Sequence, residues 1–313
     1  MMLVIFIAII ASALRLATPL IFAALGSVFT ERSGVVNIAL EGIMIMGAFF
    51  AILAMEFVSN PWIAVLVAMI VGAITALLLG FLAINLKANQ VVAGTAINIL
   101  AGSLTAFLLE MVWHRSGQTD TVANALTKNP ETLAFLEKIP VLGSLFSGLT
   151  PFVYLAIIFS GVSYYVMYKT PFGLRIRAVG EHPRAADTVG VNVYRVRHIC
   201  VLISGALAGL AGASLSLGTV NMFREGMVSG KGFIAIAAAI FGKWHPLGAF
   251  AACLFFGLTE AIQIQAASLG LGWIPSEFLQ MLPYIATVLA LAGLVGRAVA
   301  PAASGEPYEK GHR

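Results

Sequence analysis

KTPFGLRIRAVGEHPRAADTVGVNVYRVRH, residues 169–198, breaks an otherwise apolar chain with a basic, polar island. It carries Lys169, Arg175, Arg177, Arg184, Arg195 and Arg197, a third of the 18 Lys and Arg residues, in under a tenth of the 313 positions. Long apolar runs flank it on both sides. Lys and Arg hold a short loop on the cytoplasmic side of a membrane, so the island reads as an inner loop. It also holds a short helix signal: Pro183 suits a first helical position, Arg184 to Val189 continue it, and Gly190 suits the C-terminal cap. A compact helix at the inner face is a docking element; the plainer alternative is a solvated connector.

Working outward, the chain is 60% hydrophobic and only 10% charged, with a mean hydropathy of +0.96. Soluble chains carry roughly 25% charged residues. Several stretches reach the roughly 20 apolar residues that cross a bilayer. The fold class is therefore an all-α polytopic membrane protein, a single domain over 1–313. The net charge of +4 comes from basic residues at span ends, so the lipid bilayer is the expected partner and nucleic acid is not. Cys200 and Cys253 lie in apolar segments and read as packing thiols. The N-terminus lacks a basic leader, so it reads as a retained span.

Nine hydrophobic helices are expected, near 2–29, 35–56, 61–85, 90–112, 151–168, 198–220, 231–242, 246–267 and 277–296. The first is overlong and carries Pro19, which predicts a kink or a short preceding surface turn. The seventh is too short for an unaided crossing. With 169–198 inside, the connections at Glu31-Arg32, Lys87 and Lys243-Trp244-His245, and the tail 297–313, also face the cytoplasm. Met55–Pro61, the segment 113–150 and Leu269–Ser276 then face outside, as does the N-terminus. Within 113–150, PETLAFLEKIP reads as an interfacial helix. SGVVNIALEGIMIMGAF (33–49) and GKGFIAIAAAIFGKWHPLGAF (230–250) share a Gly, an apolar run, an interruption and GAF, and cross in opposite directions. That is the pattern of an inverted repeat whose interrupted helices border a transport pathway.

Enzyme chemistry finds no footing. GMVSGKGF (226–233) lacks the spacing of a phosphate loop, so no ATPase activity is expected of this chain. The five His residues are scattered, and neither a metal site nor a cofactor is expected. Polar residues within spans are the better clue, because charge at membrane depth is costly and faces a cavity or a partner. Asn37 and Glu41 are four apart on one helix face, so Glu41 either lines a pathway or pairs with Arg32 or Arg15. Asn98 suits a helix-to-helix hydrogen bond or a pathway wall. Glu260, with Gln263, forms a second polar face. Phe233 is among the aromatics able to stack on a base or sugar. The small residues of 204–218, with Gly205 and Gly209 four apart, predict close helix packing.

Three stretches, ATPLIFAALGSVFTERSGVVNIALEGIMIMGAF (17–49), PFGLRIRAVGEHPRAADTVGVNVYRVR (171–197) and GFIAIAAAIFGKWHPLGAF (232–250), together resemble the permease subunits of bacterial ABC importers. The branch is the one for nucleosides, simple sugars and branched-chain amino acids, and ERSGVVNIALEG looks most like its nucleoside and simple-sugar members. The resemblance covers about residues 13 to 296. It implies a coupling helix, carried by Glu181, Pro183, Arg184, Ala185, Ala186 and Gly190, that docks on a separate ABC ATPase subunit. It also implies a second, homologous permease, an extracytoplasmic substrate-binding protein and the bacterial inner membrane. Nucleosides are the expected substrate; a simple sugar such as ribose, or a branched-chain amino acid, is the alternative. An ion-coupled carrier working alone and a non-transporting membrane protein are the other classes weighed.

Overall fold

The computed structural model describes residues 2–123, 125–127, 149–266, 278, 281, 285 and 298–310. Ten helices run along them: α1 (Met2–Arg32), α2 (Leu40–Phe57), α3 (Pro61–Gly80), α4 (Gln90–Trp113), α5 (Pro151–Lys169), α6 (Pro171–Glu181), α7 (Pro183–Thr188), α8 (Val193–Leu215), α9 (Lys231–Phe241) and α10 (Pro246–Ile264). Widened π-helical turns extend α3 through Phe81–Asn85 and α8 through Ser216–Val220. Lipid offers no hydrogen-bond partners, so only structures that satisfy their own backbone can span it, and helices do. Among the described residues α1, α2, α3, α4, α5, α8 and α10 are long and apolar enough to cross. α1 continues through Pro19 without a break. All of the ninth expected span, 277–296, except residues 278, 281 and 285, and the whole of PETLAFLEKIP lie outside the described residues.

α8 is the central mast: 78% of its most apolar window is buried, and α1, α2 and α3 all pack on it. Its small residues permit this. A Cβ on Gly209 would meet the Ala68 carbonyl oxygen of α3 at 2.2 Å, and one on Gly212 would meet the Met44 carbonyl oxygen of α2 at 2.1 Å. The close packing predicted for 204–218 is what these contacts describe. α3 and α4 carry Ile70, Ile74, Ile99 and Phe107 on exposed faces that suit lipid.

The two ends of the bundle are closed by different contacts. Trp113 donates to Glu56 at 3.2 Å, joining the ends of α4 and α2, and there the chain segments 117–122 and 221–225 pair through Thr119, Val122 and Glu225. At the opposite, basic end, Arg32 closes α1 and donates to the carbonyls of Trp244 and Lys243 at 3.0 and 3.2 Å.

Two elements depart from the expected spans. The helix expected from residue 35 begins at Leu40, so Asn37 lies in a non-helical lead-in and not on the same helix face as Glu41. α9 has eleven residues, about 16 Å at 1.5 Å per residue and half of a roughly 30 Å hydrocarbon core. Its C-terminal turn sits at Arg32, whereas Lys231 meets Glu260, fourteen residues (roughly 21 Å) up α10 from Pro246. It is a half-helix by length, preceded over 221–230 by bends and successive turns.

The basic island also folds further than its sequence suggested. Thr170 caps an additional helix, α6, accepting from the Gly173 amide at 3.2 Å. Asn192 caps α8, accepting from the Arg195 amide at 3.0 Å, so Arg195 and Arg197 belong to a helix and not to a loop. Glu31, expected in a connection, sits inside α1 at 3% exposure.

Candidate functional site

Irregular backbone at membrane depth is tolerated only where protein satisfies it, and side-chain amides do this for the lead-in 33–39. Gln90 Oε1 accepts from the Val36 amide at 2.7 Å and Asn37 Oδ1 from the Ala39 amide at 3.1 Å. Asn98 Nδ2 donates to the Ile38 carbonyl at 2.9 Å while its Oδ1 accepts from the Gly42 amide at 2.8 Å. Asn37 Nδ2 donates to Ser204 Oγ of α8 at 3.0 Å. Asn37 and Asn98 thus fix the break before α2.

Glu41, in the first turn of α2, reaches across to the break before α9. Its Oε1 accepts from the Gly230 amide at 2.7 Å and its Oε2 from the Gly232 amide at 2.8 Å. These are orphan donors at the start of α9, where a helix favours negative charge. Glu41 therefore pairs with neither Arg32 nor Arg15; it caps a half-helix. α2 and α9 start at this junction and run toward opposite ends of the molecule. Lys231, between the two glycines, donates to both oxygens of Glu260 at 2.8 and 3.1 Å. Three consecutive residues are held by two carboxylates from two different helices.

Above the junction opens a cavity of about 800 Å³, walled by α1 (Ser12, Arg15, Thr18), the end of α8 (Ser214, Thr219), Phe152, and the paired segments (Gln118, Met222, Arg224, Met227), with Lys231 and Glu260 on its lining. Of the five residues expected along a pathway, Glu260 lines this cavity and Asn37, Glu41, Asn98 and Phe233 do not. Phe233 is half-exposed on α9, at 49%. Phe49 and Phe50 pack into an aromatic cluster with Trp113 and Phe223.

At the basic end, α7 starts on Pro183, and Gly190 (φ +85°) closes it, its amide donating to the Asp187 carbonyl. Ala186 is buried beneath it, whereas Arg184, Ala185 and Val189 face out, Val189 at 78% exposure. Glu181 joins α6 to its surroundings through Arg32 at 3.8 Å and the Ala302 amide at 3.2 Å.

The tail, 298–310, folds across this end. The amides of Ala303 and Gly305 donate to the carbonyls of Gly180 and Gly34. Tyr194 donates to the Tyr308 carbonyl at 3.1 Å, Glu309 meets Lys87, and Lys310 lies 3.9 Å from Asp187. The hydrogen bond from Lys87 to Glu309 holds the Lys87 ammonium above its usual range. Burial, reinforced by Asp187, holds the Tyr308 phenol above its own. Tail and α7 enclose a groove of about 700 Å³ lined by Pro183, Arg184, Arg197, Glu306 and Tyr308.

Sequence reasoning misses three of these residues. Arg197, 1% exposed, donates through Nε to the Ser33 carbonyl at 3.2 Å and through Nη1 to the Glu306 carbonyl at 2.9 Å. Glu31 accepts from Ser27 and from the Trp244 indole. Lys231 stands out in the sequence only as part of a failed phosphate loop. Arg197 and Glu31 look like loop charges because they border apolar runs; only their burial distinguishes them.

Residues 9–295 match the family model described as the branched-chain amino acid transport system / permease component. The chain is 46% identical over 313 residues to the guanosine ABC transporter permease protein NupQ of Bacillus subtilis, covering 97% of each chain. It is 41% identical to the nucleoside ABC transporter permease protein NupC of Lactococcus lactis subsp. cremoris, covering 96% of each. It is 32% identical to the putative glucose ABC transporter permease protein TsgC13 of Haloferax volcanii, over 90% of this chain and 89% of that one.

Proposed function

The chain belongs to the branched-chain amino acid transport system permease family, and from that membership we propose that it is the membrane-spanning permease subunit of an ATP-driven importer for nucleosides. The observation that carries the substrate is the near-full-length identity to permeases named for guanosine and for nucleosides. The bacterial cytoplasmic membrane is its place, with the basic end and tail inside and the N-terminus outside, as the Lys and Arg distribution favours. The segment from Glu181 through Gly190, built on α7, docks on a separate ATPase subunit, which hydrolyses ATP. A binding protein delivers solute at the opposite end, where 113–123 and 221–229 are the contacts available among the described residues. A second permease completes the pathway.

Alternating access follows from the joints. The tail, which meets α7 through Lys310 and Asp187, grips the lead-in at Gly34, and Arg197 grips it at Ser33. The lead-in ends at Glu41, which holds α9. Motion at the docking helix thereby has a route through the tail and the lead-in to the junction beneath the cavity. The opposed α2 and α9, each with an interrupted start, support the inverted-repeat reading. An ion-coupled carrier needs a mid-membrane acid free to bind and release its ion; Glu41 is committed to the start of α9 and Glu260 is paired with Lys231.

The second reading is a simple sugar, favoured by the 32% identity to a putative glucose permease. Uptake of labelled uridine by cells lacking this gene, against complemented cells, with excess ribose or leucine as competitors, separates the two. Uptake that requires the gene and ignores both competitors is the expected result. Uridine uptake unchanged by deletion, with other nucleoside carriers removed, sinks the nucleoside assignment; gene-dependent ribose uptake then establishes the sugar.

A further inference from the structure

The Lys231–Glu260 pair ties α9 to α10 and also faces the cavity. Its side chains retain 15% and 29% exposure, and both line the 800 Å³ cavity, a volume within the roughly 300–1,000 Å³ of small-molecule sites. A carboxylate offers about four lone-pair positions. Lys231 takes one on each oxygen, at 2.8 and 3.1 Å, which leaves each oxygen able to accept one more hydrogen bond, side by side. Two adjacent acceptors match two adjacent hydroxyl donors.

The rest of the lining fits the same guest. Glu225, the other acid there, accepts from the Gly117 amide at 3.0 Å, and Arg15 donates to Ser12 at 3.3 Å. Arg224 also lines the cavity, and the Lys231–Glu260 pair adds no net charge to it. Met222 and Met227, both partly exposed, supply an apolar wall on which a flat ring can lie.

Resting on the nucleoside reading, we propose that Glu260 is a substrate-contact residue that receives the vicinal 2′,3′-diol of a ribonucleoside, with Lys231 as the positioning residue that holds its carboxylate open toward the cavity. A site built to accept hydroxyl protons discriminates against analogues that lack them.

The test compares uptake of uridine and 2′,3′-dideoxyuridine in cells complemented with the wild-type gene or with Glu260→Gln, normalised to permease in the membrane. The binding protein is the same in both strains, so its own selectivity cancels in the ratio of ratios. The preference for uridine is expected to be roughly tenfold or more greater in the wild type than in Glu260→Gln, the worth of a hydrogen bond to a charged acceptor. An unchanged preference, with both solutes slowed equally, assigns Glu260 a structural role and overturns the proposal. Should Glu260→Gln fail to reach the membrane, the wild-type preference is set against that of the isolated binding protein. A greater preference in uptake supports the proposal, and equal preferences overturn it. Wild-type cells that take up no more uridine than the deletion strain remove the nucleoside reading itself, and this proposal falls with it.

Discussion

Glu41 and Gly232, 191 positions apart, are joined by a 2.8 Å hydrogen bond between a carboxylate at the start of one interrupted helix and an amide at the start of the other. With the companion bond to Gly230, this makes one carboxylate responsible for both breaks. Gln at position 41 presents one acceptor oxygen where two are used, and sets an amide donor against an amide. Glu41→Gln is expected to cost roughly 1.5–3 kcal/mol, the range for hydrogen bonds to charged groups. Its thermal midpoint in detergent should fall, and uptake should fall with it. A wild-type midpoint with altered uptake would instead make Glu41 a contact for solute.

Gly232 is the sharper probe of the same joint. A Cβ there would stand 2.5 Å from the Glu41 amide nitrogen and 2.7 Å from its Cα. Those are backbone atoms and cannot swing away. Gly232→Ala is expected to push α9 off α2 and abolish uptake, and normal uptake would mean the junction is not rigid during transport.

At the docking helix, Gly190 has φ +85° and a Cβ there would touch nothing within 4 Å. The penalty for a side chain is therefore conformational alone, about 1–2 kcal/mol. Gly190→Val should distort the end of α7 while leaving membrane insertion intact, so that ATP hydrolysis in the assembled transporter continues with little uptake. Ala185 faces out while Ala186 is buried: Ala185→Arg should uncouple without destabilising, whereas Ala186→Arg should also lower the thermal midpoint. Normal import by Gly190→Val and Ala185→Arg would remove the docking role.

How far the sequence carries depends on which force decides each element. Membrane helices follow from composition, so the long spans, the Pro183 start and the Gly190 stop are all legible. The small-residue face of α8 is legible because backbone contact between helices demands it. The breaks are visible as interruptions, but not their partners: nothing in VNIALEG says that Glu41 will reach amides 189 and 191 residues away. Apolar periodicity continues through Asn37 and points to a helix face, while its amide in fact replaces the helix it interrupts. Arg197 lies beside genuine loop charges and shares their local pattern. Its role depends on the tail, more than a hundred residues further on.

That arrangement makes the tail testable. Arg197 uses two nitrogens on two separate backbone carbonyls; a Lys ammonium has no fork to span them. Arg197→Lys and removal of residues 302–313 should therefore act alike. Each leaves a buried partner unmet, a cost of roughly 1–3 kcal/mol, and each loosens the lead-in on which α2 rests. Lower thermal midpoints with impaired uptake are expected for both. Wild-type behaviour of the truncated chain would show that 33–39 holds its shape unaided.

His245 adds a pH dependence whose sign is fixed by its surroundings. Its ring lies 4.8 Å from Tyr168 and 5.5 Å from Tyr164. Burial first, and then the Arg32 charge, depress its pKa below the ordinary 6.5. In the folded chain the imidazole therefore resists a proton that the unfolded chain accepts. Its contribution to stability is fully present above the unfolded value and is lost as pH falls from there through the lower folded value. Thermal midpoints of the wild type and of His245→Phe, which keeps a ring against the two tyrosines, should diverge below about pH 6.5. The wild type should lose stability in that window and His245→Phe should not. Parallel midpoints for the two would show that His245 takes its proton as readily when folded, and that the Arg32 charge is screened at this end of the molecule.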